Sequence, residues 1–372
     1  MNPRILIVSP VPSHNHHEGN AARVRQLVGA LQNWGAIIHF VLYDLYGSPE
    51  TTINAMRQDW DHVSVVKPQK PITPSLPASY HVDDPFDPAL GEHVAALCRD
   101  WSYDLCIVNY VWLSKVLEYV PSGVKKVVDT HDVFGDRQRL TIEQGMNAED
   151  AWYYTTPGLE AMALKRADTV IAIQDVEAAY FRGLLGGAVE VVTIGHPLPP
   201  RFLAPSTGKA VTVGYLGSDN VWNDRSFRAL ENALDDFEDQ LGNADWMVAG
   251  SICRKLGDSI RHFRPIGRVD RLVDFYEAVD IVVNPMLGGT GLKIKSVEAL
   301  SFGRVLLSTQ DGILGLPVVH PAQECGSVPE LAKWLVDLIG NPSELAKIRR
   351  DGCFAYNEYY RRQLDIIYKL AN

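Results

Sequence analysis

The chain has 372 residues, more than one ordinary hydrophobic core organises, so two domains are expected. Apolar content of 46% and charged content of 22% fit a soluble globular protein, and no apolar run approaches the ~18 residues of a membrane-spanning helix. Net charge is −10, with 15 Lys+Arg against 23 Asp+Glu up to His196 and 20 against 22 beyond it. Neither half carries the basic stripe that a nucleic-acid partner or an anionic membrane would need.

The N-terminal stretch MNPRILIVSPVP reads as an opening strand rather than a signal peptide. Five scattered cysteines without metal-like spacing read as free thiols of a reducing compartment, so a cytoplasmic location is expected.

In chain order, Arg4–Ser9 is a buried strand closed by Pro10 and Pro12. Gly19 stands at the entrance of a helix over Ala21–Asn33, whose apolar face carries Val24, Leu27, Val28 and Leu31. Ile37–Tyr43 is the second strand. This is the opening unit of a Rossmann-like domain, but without the G-x-G-x-x-G fingerprint, which disfavours NAD or FAD. Residues 46–90 are expected to be irregular, with six prolines from Pro68 to Pro88. Asp104–Asn109, Lys126–Asp129, Thr169–Ile173 and Glu190–Ile194 are further strands, and Gln174–Leu185 is a helix. Residues just past the carboxyl ends of parallel strands line the ligand crevice, which singles out Asn109, Tyr110, His131 and Asp132.

Leu198–Lys209 has the proline, glycine and small polar residues of a linker. Strand–helix alternation then restarts with strands at Val211–Leu216, Trp246–Ala249 and Arg264–Ile266, and helices at about Asp224–Glu238 and Leu272–Ala278. Asp280–Pro285 is a strand, Gly288–Gly291 a glycine turn, Leu292–Phe302 a helix ended by Gly303, and Val305–Ser308 the next strand. A helix opening after a glycine turn suits phosphate. Lys293 and Lys295 inside it could meet diphosphate charge, and Glu298 could accept ribose hydroxyl hydrogen bonds. The tail from about Val328 is helical.

Plainer readings compete at each of these positions. Lys295 and Glu298 could form a surface i,i+3 ion pair worth ~0.2–0.5 kcal/mol. His14, His16 and His17 lack a matching Cys/His pair, so a solvent- or acceptor-facing loop is favoured over zinc. Asp83–Asp84 reads as solvated, and Trp101, Trp112, Trp152, Tyr153 and Tyr154 as packing aromatics. His131 could be a buried histidine bonded to Asp132 or to the backbone, and Asp132 with Arg137 a structural pair.

Taken together, these residues resemble the GT-B glycosyltransferases, most closely glycosyltransferase family 4 and its bacterial cell-surface polysaccharide members. The most specific element is Gly289–Gly303, similar to the pattern G-x-G-x-(R/K)-(L/I)-K-x-x-E-A-x-x-x-G. Asp129–Asp132, Ala167–Ala172, Gly214–Ser218 and Gly267–Val269 support it. The resemblance implies an α/β GT-B fold, two Rossmann-like doubly wound domains facing a central cleft. Residues 1–200 would form the acceptor-side domain, 201–350 the donor domain, and 351–372 a helix crossing back to the first.

It also implies retaining transfer from a nucleotide-sugar donor to a hydroxyl of a glycan or glycolipid, with no cofactor and no metal. Glu298 would contact the donor ribose, Lys293 and Lys295 the diphosphate, and Gly19 the diphosphate from the opposite side. Arg268 and Val269 would meet the nucleobase, while Gly289, Thr290, Gly291 and Leu292 would line the donor. His131 would act by positioning or electrostatics, with His14, Asn109, Asp132 and Arg137 on the acceptor side.

Thr290 stands where many members carry a second glutamate, and Ser218–Asn220 lacks the Arg and Lys that many place after the first strand of the donor domain. A nucleotide-sugar epimerase and a non-catalytic nucleotide-sugar-binding scaffold are the alternatives. The Tyr/Arg/Lys-rich tail, Tyr356–Lys369, could give weak peripheral association with the inner face of the cytoplasmic membrane.

Overall fold

The computed structural model describes residues 2–15, 19–151, 153–205, 210–257 and 260–372. They form two compact units, the first running to Pro197 and including Thr290–Leu292 and Gln363–Asn372, the second comprising Leu198–Gly289 and Lys293–Arg362.

The first unit is built on seven strands: β1 (Arg4–Ser9), β2 (Ile37–Tyr43), β3 (His62–Val66), β4 (Leu105–Asn109), β5 (Lys125–Asp129), β6 (Thr169–Ala172) and β7 (Glu190–Thr193). All pair in parallel in the order β3-β2-β1-β4-β5-β6-β7. A parallel sheet is covered on both faces, which is why the central strands read as nearly unbroken apolar runs. Along β1 the side chains alternate between two cores, Leu6 and Val8 on one face, Ile5 and Ile7 on the other. The strand order reverses at β1 and β4, so the crevice lies beyond Ser9 and Asn109.

The second unit holds β8 (Val211–Leu216), β9 (Ala244–Ala249), β10 (Arg264–Gly267), β11 (Ile281–Asn284) and β12 (Val305–Ser308), parallel in the order β10-β9-β8-β11-β12. Its switch point lies between β8 and β11.

The expected irregular stretch 46–90 is ordered in its first half, as helix Glu50–Asp59 and strand β3. Five of the six prolines lie between β3 and helix Pro88–Asp100, where they do preclude regular structure, and the sixth, Pro88, opens that helix. Asp83 there is paired bidentately with Arg166 at 2.6 and 2.8 Å, and Asp84 accepts from Ser75 N and His81 N. The final helix is longer than expected, Pro342–Ala371. Its last turns belong to the first unit, where Ile367 and Leu370 are buried, Tyr368 stacks on Trp34 and Gln363 Oε1 accepts from Gly195 N at 2.6 Å. No helix among the described residues is long and apolar enough to cross a membrane.

Candidate functional site

In the second unit the turns beyond β8, β9 and β10 are tied together. Gly250 N donates to Gly267 O at 2.8 Å and Asp219 N to Ser251 Oγ at 2.9 Å. Gly250 has φ 101°, and a Cβ on it would overlap the carbonyl oxygen of Gly217, so only glycine fits. Arg268 and Val269 leave the edge strand at this same sheet end, Arg268 exposed.

Beyond β11 the chain makes the expected glycine turn, with Gly288, Gly289 and Gly291 all at positive φ. Gly288 N donates to Asp311 Oδ2 and Leu287 N to Ser226 Oγ. The helix then begins later than expected, over Ile294–Ser301. Lys293 is therefore not inside it. It is the extended N-cap residue, because the glycine turn keeps the preceding backbone out of helical geometry, and its Nζ reaches back to Gly289 O at 3.2 Å. Asn284 and Ser296 share a buried hydrogen bond of 2.8 Å and both donate to Gly312 O, which fixes the helix start to β11.

Lys295 Nζ donates to Asn223 Oδ1 at 2.6 Å and to Tyr215 Oη at 3.2 Å, and lies 4.6 Å from the Tyr215 ring centre. Asn223 sits in the first turn of helix Val221–Leu234 and is itself held by Ser218 O and Oγ. Glu298 accepts from Tyr276 Oη at 2.9 Å, and Tyr276 stacks on Phe302. Lys295 and Glu298 form no ion pair within 4.0 Å among the described residues, so they are not a simple surface pair. Desolvation and the Lys293 charge pull the Lys295 ammonium down to about 7, with Glu298 opposing. Desolvation likewise pushes Glu298 up to about 7, against the Tyr276 hydrogen bond and Lys295.

In the first unit, residues beyond β4 and β5 converge. His131 (φ 61°) and Tyr110 (φ 71°) both occupy the left-handed region and their rings stack at 4.3 Å. His131 Nε2 lies 2.7 Å from Asn109 Oδ1 and 3.3 Å from Asp129 Oδ2. Both neighbours are acceptors, so Nε2 carries the proton and Nδ1 is the basic nitrogen. Burial holds the imidazole down to about 4, Asp129 opposing and Arg23 assisting. Asp129 is bound by Arg23 through Nη2 at 2.6 Å and Nε at 3.2 Å, a buried ion pair whose guanidinium also donates to Gly195 O. Asp132 pairs with Arg137 at 2.8 Å, and Arg137 packs on Phe134. Glu160 accepts from Phe134 N, Gly135 N and Tyr180 Oη, clamping this loop, and a Cβ at Gly135 would come within 2.6 Å of it.

The structure thus brings together Asn109, His131, Asp132 and Arg137, and separately Lys293, Lys295 and Glu298. Helix Gly19–Asn33 begins at Gly19, and Asn20 in its first turn donates to Tyr110 Oη at 3.2 Å. Thr290, Gly291 and Leu292 group with the first unit, in which Gly291 N donates to Glu177 Oε1 at 3.0 Å. His14 lies apart, buried between Ser13 Oγ at 2.9 Å and Asp59 Oδ2 at 2.8 Å and edge-on to Trp60. His16, His17 and Trp152 lie outside the described residues.

Arg23, Glu160, Glu177, Asn223 and Tyr276 escaped the sequence reading. Arg23 had a usable signal, a charge on the buried side of an amphipathic helix. The others become partners only through tertiary folding.

Two family descriptions match the chain: a glycosyl transferase 4-like domain over residues 18–196, and glycosyl transferases group 1 over residues 210–346. No curated protein matches the sequence. Among solved structures, sucrose-phosphate synthase from Thermosynechococcus elongatus aligns at 17% identity over 99% of this chain and 98% of its own, TM-score 0.68. HepE from Anabaena, in complex with UDP and glucose, aligns at 14% identity over 99% of both chains, TM-score 0.67. A variant of TarM from S. aureus, in complex with fondaparinux, alpha-GlcNAc-glycerol and UDP, aligns at 9% over 100% of both, TM-score 0.70. The chain belongs to the GT-B glycosyltransferases, its first unit a glycosyl transferase 4-like domain and its second a group 1 domain.

Proposed function

We propose that the protein is a retaining glycosyltransferase that moves a sugar from a nucleotide-sugar donor to a hydroxyl of a glycan or glycolipid acceptor, in the cytoplasm and in surface polysaccharide synthesis. The observation that carries this reading is the separate anchoring of Lys295 by Asn223 and of Glu298 by Tyr276, one helical turn apart at a helix start beyond a switch-point strand. Such an arrangement presents a cation and a carboxylate to one ligand instead of letting them neutralise each other. A nucleoside diphosphate has the matching parts, with ribose hydroxyls for Glu298 and phosphate oxygens for Lys295, Lys293 and the helix N-terminus. The HepE and TarM complexes, which contain UDP, are consistent with a uridine donor.

In the reaction, the acceptor oxygen bonds to the anomeric carbon as the bond to the phosphate oxygen breaks, on the same face. The departing diphosphate takes up the acceptor proton, and the two lysines offset its charge. His131, neutral and held by Asn109, serves to orient groups on the acceptor side, with Asp132 and Arg137.

Titration calorimetry with UDP, GDP and ADP tests the donor site. Glu298→Ala should weaken the bound nucleotide roughly 10- to 100-fold, the loss of hydrogen bonds to a charged group. Unchanged affinity would sink the assignment. Thr290, where the family resemblance places a second glutamate, keeps a non-catalytic binder open as the second reading. Mass spectrometry of a donor incubated with and without acceptor separates the outcomes: transfer, conversion of the donor alone, or binding without turnover.

A further inference from the structure

We propose that Asn223 and Tyr215 are positioning residues that hold Lys295 in a setting with neutral partners only, so that a nucleotide diphosphate completes its charge and binding draws one proton onto its nitrogen. This inference rests on the donor-site reading above and concerns how that site is charged. A lysine nitrogen has three donor directions when protonated, and two are taken, by Asn223 Oδ1 at 2.6 Å and Tyr215 Oη at 3.2 Å. Both partners are uncharged, and neither obliges the nitrogen to carry its proton.

The charged groups nearby are not its hydrogen-bond partners. On its own helix and cap, Lys293 opposes the charge and Glu298 favours it, but Glu298 is engaged by Tyr276 of helix Leu272–Ala278. On β8 stands Tyr215, itself kept neutral by burial, with the Asp224 charge of the neighbouring helix acting in the same direction. Tyr276 Oη also lies 3.4 Å from the Lys295 carbonyl. No carboxylate oxygen among the described residues is within ion-pair distance of Nζ, and Lys295 as a residue is only partly buried.

Burial and the Lys293 charge already pull the ammonium down to about 7. A diphosphate would favour the charged form and raise it again. A proton is then taken from solvent on binding and released with the product.

The test is calorimetric titration of UDP at pH 8 in buffers of different ionisation enthalpy, a pH well above the second phosphate ionisation near ~6. The wild type should take up roughly 0.5–1 proton per UDP, and its affinity should fall by up to about tenfold per pH unit above 7. Lys295→Arg, which stays charged throughout, should bind UDP with no uptake. Asn223→Asp gives a second handle that leaves the lysine in place. Its carboxylate would charge Lys295 before UDP arrives, abolishing the uptake and weakening binding, whereas a merely structural Asn223 would alter affinity and leave proton uptake intact. UDP binding to the wild type without uptake overturns the proposal, as does undiminished uptake in either variant. Failure of UDP, GDP and ADP alike to bind would strike the donor reading itself, and this inference with it.

Discussion

Asp129 shows how a single residue can organise a site without touching a substrate. Its carboxylate is fully buried, spans Arg23 by two hydrogen bonds and faces His131 Nε2 at 3.3 Å. Removing one member of a buried ion pair leaves the other uncompensated, at a cost of about 3–5 kcal/mol. Asp129→Ala is therefore expected to lower the urea midpoint of the first unit by that equivalent, and a change below about 1 kcal/mol would mean that Arg23 finds another partner. His131 adds a pH dependence. In the unfolded chain it protonates near 6.5, in the folded unit only near 4, so across that window the unfolded state binds more protons. Its contribution to stability is unimpaired above 6.5 and is lost as pH falls towards 4. Glu160, raised to about 7, works the other way, since the folded state keeps its proton between about 4.5 and 7. Urea titrations at pH 7 and pH 5 should thus show a smaller loss for His131→Gln than for wild type. Asn109 and His131 were legible because strand ends are where ligand crevices form. The left-handed backbone that stacks His131 on Tyr110 was not, because a positive φ outside glycine is uncommon even for histidine and is imposed by the surrounding loop.

Elements were legible where their hydrophobic period was unbroken and hidden where a neighbouring signal drowned it. β1, β2 and β12 have the expected bounds, since buried parallel strands are apolar throughout. Helix Glu50–Asp59 buries only Ile53 and Met56 among its ten residues, and β3 is only partly covered, so their patterns were weak beside the prolines that follow. The glycine turn illustrates the opposite case. Its place between β11 and a helix was plain, but how far the turn delays the helix depends on the positive φ of Gly291, and this moved Lys293 to the cap. The final helix was expected from its composition, and its end is a structural part of the first unit. Ile367 is fully buried there beside Leu370, with Lys125 Nζ donating to Leu370 O at 2.9 Å. Ile367→Ala should cost about 2–5 kcal/mol, the usual range for emptying such a site. If the tail merely rests on the surface, urea denaturation will show less than about 1 kcal/mol.

For the molecule as a whole, the two parallel sheets and their switch points follow from strand–helix alternation repeated on either side of a proline-rich connection, which is why the architecture could be read before the site. Family membership adds glycosyl transfer, and for the nucleotide-sugar donor proposed above the question at this scale is what would offset the leaving diphosphate in an acidic chain of net charge −10. A divalent cation that arrives on a diphosphate needs one or two protein carboxylates beside phosphate oxygens and water. Of the acids near the ends of the strands and in the loops, Asp83, Asp132 and Asp59 are each engaged by arginine or histidine. Two lysines, by contrast, stand at a helix start beside a glycine turn, which is how a protein supplies fixed positive charge to phosphate without an ion. Transfer from a nucleotide sugar is therefore expected to persist at full rate in excess EDTA, and to fall on Lys295→Ala by about 10²–10³-fold in kcat, the scale for removing one preorganised charge stabiliser. Loss of turnover in EDTA, restored by Mg²⁺ or Mn²⁺, would show instead that a metal carries the diphosphate charge and that the lysines only complete its binding.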